Sequence, residues 1–416
     1  MRIAYVCCDR GVPIFGTKGA SVHVRELCRA LDEAGHEVLI VSPRTGGRRP
    51  LDFGPTVAEV TLEPEDDAVC SFLADDRAVG PTAAREVRAL VYSAGLRFRL
   101  TSLLRDFGAE VVYERYALLA TAGASAARTL RVPHILEVNA PLSQEQAEHR
   151  GLAFGHAARE LEGATLRGAD RVIAVSRAVA GWAAASGVEP ARLSVRSNGV
   201  DPARFAVGTA ERAVMRAQLG VGGAPVIGFL GTLKPWHDVA SLIRATAVLV
   251  AAGLRVRLVL IGDGPERPRL EGLVRAAGLE PLTTFVGAVA YDDVPRYLSA
   301  LDVAAVTYEA SPGFYFSPLK LFEYLAAEKP VVAAAIGDIE HCIRHGATGL
   351  MYAPGDVRAL ADALLALITD PERASRLAQA GREHVRIHHT WAGNADTVVA
   401  LAEAAAQDRT REAAWA

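Results

Sequence analysis

The sequence predicts an α/β fold built from two doubly wound parallel-sheet domains in tandem. Three observations carry that expectation. Short apolar runs alternate with amphipathic helical segments from the first residues onward. The alternation lapses in a polar stretch, Pro202 to Gly223, and restarts at Pro225. At 416 residues the chain is also longer than one ordinary core accommodates.

In the first half, Arg2–Cys8 reads as a strand, Ser21–Ala34 as a helix stopped by Gly35, and Glu37–Ser42 as a second strand. Val111–Glu114, His134–Asn139 and Arg171–Ser176 continue the series, the last after a helix ending near Gly168. These runs are short and almost wholly apolar, as parallel strands covered on both faces should be. In the second half the strands are Val226–Leu230, Arg257–Gly262, Thr283–Val286, Val303–Thr307 and Pro330–Ala335. Between them lie helices at Val239–Ala251, Pro268–Ala277, Val294–Ala300 and Ser317–Ala327. From Val357 the chain is helical and Ala-rich, with Trp391 placed as a large apolar anchor. The expected units are residues 1–203, residues 204–386 and a closing helix over 387–416, with the hinge in Pro202–Gly223. Strand C-termini of doubly wound sheets face a crevice, so a ligand site is expected between the two domains.

Half of the residues are apolar and 22% are charged, so the chain is globular. A formal net charge of −3 argues against a nucleic-acid partner. The five cysteines are odd in number and lack zinc spacing, which fits buried thiols in a reducing, cytoplasmic setting. Met1–Cys8 reads as a first strand and not as a signal peptide, and no apolar run is long enough for an integral membrane segment. Peripheral membrane contact and oligomeric state stay open.

Six stretches can carry chemistry, and two more read as architecture. Gly16-Thr17-Lys18-Gly19-Ala20-Ser21-Val22-His23 joins a strand to a helix through two glycines. It is either a cradle for an anion at a helix N-terminus or an ordinary βα loop, and it does not match the dinucleotide fingerprint. Tyr113-Glu114-Arg115-Tyr116 and Glu137-Val138-Asn139 end strands in polar groups, which serve either a ligand or an internal ion pair. Asn139 can hydrogen-bond a ligand but cannot act as a base, and it can equally cap the next turn. Ala169–Ser176 and Ser197–Asp201 read as architecture, with Asn198-Gly199 a turn pair. Gly231-Thr232-Leu233-Lys234-Pro235-Trp236-His237 repeats the strand, small residue and cation design, with Lys234 and His237 as its positive groups. Gly262-Asp263-Gly264 is a turn or a ligand loop. Ser317-Pro318-Leu319-Lys320-Leu321-Phe322-Glu323 places a cation in the first turn of a helix, which suits a phosphate. Glu323, one turn on, suits a vicinal diol such as a ribose, and a structural Lys320–Glu323 pair is the alternative. The acidic run Glu63–Asp67 reads as a solvated loop, Asp292-Asp293 as a helix cap, and no catalytic metal is expected.

These motifs resemble the retaining glycosyltransferases of family four, which have the GT-B fold, over nearly the whole chain and most specifically in its second half. The resemblance implies transfer of a sugar from a nucleoside diphosphate sugar to a small-molecule or glycan acceptor, with no cofactor and with the leaving diphosphate taking the acceptor proton. It implies that Lys234 and Lys320 act on the diphosphate together with the amides of Gly19 and Ala20. Thr232 and His237 would lie beside them, Glu323 would hold the ribose, and backbone near Val289 would read the base edge. Asn139 would join Lys234 and Lys320 in the catalytic set, facing the reacting sugar; Tyr315, Phe316, Ser317 and Leu319 would line the donor, and His23, Glu114, Arg115 and Glu137 the acceptor side. It further implies that the C-terminal helix crosses back to the first domain. Two positions depart from the family pattern: Asn139 stands where many members have histidine, and Tyr315 where the first of two spaced glutamates stands. A nucleotide-sugar-binding protein without catalysis, or a GT-B epimerase, is therefore the alternative. A phosphorylase would need a further cationic motif. The Ala- and Arg-rich composition suggests a high-GC genome and makes specialised metabolism the plausible setting.

Overall fold

The computed structural model describes residues 1–415. The chain divides into two compact units, Met1–Ser197 together with the chain from Ala392 onward, and Asn198–Trp391.

The first unit is a seven-stranded, wholly parallel sheet. Its strands are β1 (Arg2–Cys7), β2 (Glu37–Ser42), β3 (Thr56–Glu59), β4 (Val111–Arg115), β5 (His134–Val138), β6 (Arg171–Ala174) and β7 (Leu193–Val195), in the order β3-β2-β1-β4-β5-β6-β7. The order reverses between β1 and β4, which puts the glycine loop after β1 at the topological switch point, where such sheets bind ligands. A 28-residue helix, Gly80–Phe107, buries Tyr92, Leu96, Leu100 and Leu104 and ends on Gly108 in the left-handed conformation. The C-terminal helix, Trp391–Trp415, belongs to this unit. It buries Ala395, Val398, Ala402 and Ala405 and is tied by Asp170–Arg409 (2.8 Å) and Arg171–Asp408 (2.5 Å) ion pairs. The Asn394 amide also donates to the Ser197 carbonyl at 2.9 Å.

The second unit is a six-stranded parallel sheet of β8 (Val226–Leu230), β9 (Arg257–Ile261), β10 (Thr283–Gly287), β11 (Val303–Val306), β12 (Val331–Ala334) and β13 (Leu350–Tyr352). The order is β10-β9-β8-β11-β12-β13, so the switch point lies between β8 and β11. Both strands are fully buried. The core adds Leu242, Ile243 and Leu249 of helix Val239–Ala251 on one side and Leu321, Phe322 and Leu325 of helix Leu319–Ala326 on the other.

Three sequence expectations are corrected here. The expected hinge, Pro202–Gly223, contains a helix, Thr209–Gln218, that belongs to the second unit. Its Arg212 and Arg216 clasp Asp302 (2.6 and 3.0 Å) and its Met215 is buried, so the polar composition marks a docked amphipathic helix. The acidic run at Glu63–Asp67 is no loop but the entry to helix Pro64–Asp75, where carboxylates favour the helix N-terminus. Asp292 and Asp293 lie in a 3-10 turn and cap nothing with their side chains; they pair with Arg204 and Arg296. No described helix is long and apolar enough to cross a membrane.

Candidate functional site

In the second unit the site forms where the chain leaves β8 and β11. Gly231 follows β8 with φ +139°, and a Cβ there would stand 2.8 Å from Lys320 Nζ. Gly262, at φ +133°, would place a Cβ 2.0 Å from the Gly231 carbonyl. Only glycine fits either place, and the two loops after β8 and β9 are thereby drawn into one platform. Backbone bonds from Gly231 to Ile261 (2.9 Å) and Leu233 to Asp263 (3.0 Å) lock it. Gly262-Asp263-Gly264 thus supports the β8 loop by close packing.

Lys320 is 7% exposed, and its Nζ has no hydrogen-bond partner among the described residues. It sits 4.1 Å from the centroid of Phe229 and 5.5 Å from that of Tyr308, a cation–π setting. Burial pushes its pKa down to about 7, against a raising contribution from Glu323. A desolvated ammonium with no hydrogen-bonding acceptor is costly unless an anion completes the site. Glu323 is 5% exposed in the same helix.

His237 does not supply positive charge, contrary to the sequence expectation. Burial first, then the neighbouring Lys320 and Lys234, push its pKa down to about 3, with a hydrogen bond to Thr232 opposing. Its Nδ1–H donates to the Thr232 carbonyl at 2.5 Å, which leaves Nε2 as an acceptor. The cations are Lys320 and Lys234, the latter 5.5 Å from the Trp236 ring centroid. Thr232 is exposed and Val289 half-buried against the core.

The segment before the helix is held by aromatic packing. Phe316 stacks on Trp236 (6.4 Å, 16°) and Tyr308 (6.2 Å, 20°), Phe314 meets Tyr308 edge-on at 4.8 Å, and Tyr315 lies 4.5 Å from Phe316. Ser317 is fixed by Asn198, whose backbone N–H donates to Ser317 Oγ (2.8 Å) and whose side-chain amide donates to the Ser317 carbonyl (2.5 Å). Asn198, read in sequence as a turn residue, therefore sets the entry of the helix that starts at Leu319. Tyr324 ties the same helix to the sheet by accepting the Leu230 N–H at 2.5 Å. Neither role had a sequence signal beyond residue type.

In the first unit Gly19 and Ala20 open helix Gly19–Glu33, which has no side-chain cap. Arg25 holds the preceding loop through the carbonyls of Ile14 (2.7 Å) and Gly16 (2.6 Å), an anchor that sequence reading missed. Glu137 is 1% exposed and gathers four groups: His23 Nε2 (2.7 Å), Arg115 (2.9 Å), the Tyr113 hydroxyl and the Asn139 amide. Burial alone would raise its pKa; His23, Arg115 and Tyr113 outweigh this and hold it at about 2. The structure thus brings His23, Arg115, Glu137 and Asn139 together. Glu114 is separate: it is 1% exposed, bonded to His134 Nε2 at 2.8 Å and packed on Gly123, so its carboxylate is internal.

Residues 17–204 match the family described as Glycosyltransferase Family 4, and residues 224–370 the family described as Glycosyl transferases group 1. Among curated proteins the chain is 29% identical to the alpha-D-kanosaminyltransferase of Streptomyces kanamyceticus over 171 residues, 41% of this chain and 43% of that protein. It therefore spans less than half of that relative's length. Against a glycogen synthase of Mycobacterium tuberculosis it is 27% identical over 405 residues, 94% of this chain and 92% of that one. Among solved structures, Anabaena HepE in complex with UDP superposes with a TM-score of 0.73 at 21% identity, covering 97% of this chain and 100% of that one.

Proposed function

The chain belongs to the family-four glycosyltransferases, with the GT-B fold, and from that premise we propose that it is a retaining enzyme that moves a sugar from a nucleoside diphosphate sugar to an acceptor. One observation carries the reading: the buried ammonium of Lys320, without a hydrogen-bond partner among the described residues, at a helix start against Gly231. The leaving diphosphate supplies the missing charge. As the bond from the anomeric carbon to the phosphate oxygen breaks, negative charge grows on the diphosphate. Lys320, with Lys234 nearby, stabilises it in a desolvated setting. The acceptor hydroxyl forms the new glycosidic bond on the same face, and its proton passes to the departing phosphate oxygen. In this reading Glu323 holds the ribose and Asn139 meets sugar hydroxyls. The reading includes a cytoplasmic location, which five buried cysteines free of disulfides support.

A thermal-shift screen against uridine, guanosine, adenosine and thymidine diphosphates tests it. One of them should stabilise the protein, and the shift should vanish in Lys320→Ala; no shift with any would overturn the reading. Glu323→Gln should weaken the same diphosphate by roughly tenfold even without a sugar, because the lost contact is on the nucleoside (~1.4 kcal/mol for a charge-assisted bond). Equal affinity would remove Glu323 from that role. Turnover should survive EDTA, since the cations of the site are side chains. Loss on chelation, restored by magnesium or manganese, would contradict that.

A further inference from the structure

The first unit carries charge opposite to that of the whole chain at the C-terminal ends of β1 and β2. The connections after these strands, residues 8–18 and 43–55, contain Arg10, Lys18, Arg44, Arg48 and Arg49 against Asp9 and Asp52, a balance of +5 and −2 in a chain of net −3. The two connections form one platform. Ile14 N–H donates to the Arg44 carbonyl (3.2 Å) and Phe15 N–H to the Thr45 carbonyl (2.8 Å). Gly46 and Gly47 take left-handed conformations, and a Cβ on Gly47 would stand 2.0 Å from the Phe15 carbonyl oxygen. Phe15 and Phe53 close the contact edge to face at 5.6 Å.

The acids of this edge are all engaged. Asp9 accepts the Gly11 N–H at 2.7 Å, Asp52 pairs with Arg29 at 2.7 Å, Glu59 accepts the Thr45 N–H at 2.7 Å, and Glu63 pairs with Arg99 at 2.6 Å. Arg49 is structural, donating to the Phe53 and Pro55 carbonyls. Arg10, Lys18, Arg44 and Arg48 are exposed, and none of their side chains forms an ion pair or hydrogen bond among the described residues, Glu59 acting on Arg44 only through space. The connections after β4 (116–121) and β5 (139–141) carry no charged residue, and Glu137 beside them is paired with Arg115 at 2.9 Å. Glu59 offsets part of the Arg44 charge, and the exposed cations of this preorganised frame still outnumber its carboxylates, which creates a local positive field.

We propose that this platform recognises an anionic group, a phosphate or a carboxylate, on the acceptor, so that the acceptor is an acidic small molecule and not a neutral glycan or a cationic amino sugar. The inference rests on the transferase reading, and its test separates the two. Binding of glucose, glucose 6-phosphate, glucuronate and glucosamine to the full chain is measured by calorimetry at low salt. The same titrations are made on Arg44→Gln/Arg48→Gln and on Lys320→Ala, with uridine diphosphate as the reference for the second unit. Glucose 6-phosphate and glucuronate should each bind at least tenfold tighter than glucose, glucosamine should not, and affinity should fall with added salt. The arginine double variant should lose that preference at least tenfold and keep diphosphate affinity; Lys320→Ala should do the reverse. The relative strength of the phosphate and the carboxylate identifies which anion is read. Equal binding of all four sugars, an unchanged double variant, or loss of the sugar phosphate in Lys320→Ala alone would overturn the proposal. So would Arg44- and Arg48-dependent sedimentation with phosphatidylglycerol vesicles without sugar-phosphate binding, which would make the platform a membrane footprint. Lost diphosphate binding in the double variant would reassign it to the donor.

Discussion

Lys320→Ala should lower kcat/KM for the sugar donor by a factor on the order of 30 to 1,000, or roughly 2–4 kcal/mol of transition-state stabilisation. The loss should be large because the ammonium is buried, 4.1 Å from the Phe229 centroid, where its charge is weakly screened. The same burial predicts a pH dependence. In the free protein Lys320 titrates at about 7. A bound diphosphate favours the charged form and raises that value. Binding above pH 7 therefore takes up a proton, and diphosphate affinity should fall about tenfold per pH unit above 7 until the bound-state pKa is reached. Below pH 7 the lysine is already charged and its contribution levels off. His237 should add nothing to this profile, since its depressed pKa keeps it neutral throughout. Titration calorimetry from pH 6.5 to 9 on the wild type and Lys320→Met measures it. A flat wild-type profile, or near-normal kcat/KM in Lys320→Ala, would sink the assignment.

Truncation after Trp391 should unfold or loosen the first unit while sparing the second. The helix removed buries Ala395, Val398, Ala402 and Ala405 and supplies the partners of Asp170 and Arg171. The uncovered apolar side chains alone amount to on the order of a few kcal/mol, a large share of the stability of a domain. Asp170 would also lose its arginine while still bonded to the His134 N–H at 2.7 Å. Hydrogen exchange on the truncated chain should show lost protection across residues 1–197 and little change across 198–391. Unchanged protection in the first stretch would mean that the helix contributes no stability there.

How far the sequence could be read follows from what each element depends on. Val226–Leu230 and helix Val239–Ala251 were legible to the residue because the first is a short apolar run and the second repeats apolar residues at helical spacing, each bounded by turn residues. β3, with the sequence Thr-Val-Ala-Glu, and β7, with Leu-Ser-Val, were not. They are short edge strands whose pairing is made by the neighbouring strand and not by their own composition. The helix Thr209–Gln218 looked like a linker because its stability comes from Arg212 and Arg216 closing on Asp302, about ninety residues away.

At the site the division has the same cause. A lysine and a glutamate one turn apart at a helix start are local facts, so Lys320 and Glu323 could be named from the order of residues alone. The electrostatic state of the site is not local. Whether His237 is charged depends on burial beside Lys320 and Lys234; whether Lys320 is satisfied depends on Phe229, Tyr308 and Gly231 arriving from other strands. Glu114 and Glu137 look alike as carboxylates near strand ends, yet one is sealed against His134 and Gly123 and the other gathers His23, Arg115 and Asn139. Residue type and spacing determined which groups were available and on which elements they ride. Burial and long-range contact, which set desolvation and partner choice, decided which of them carry charge.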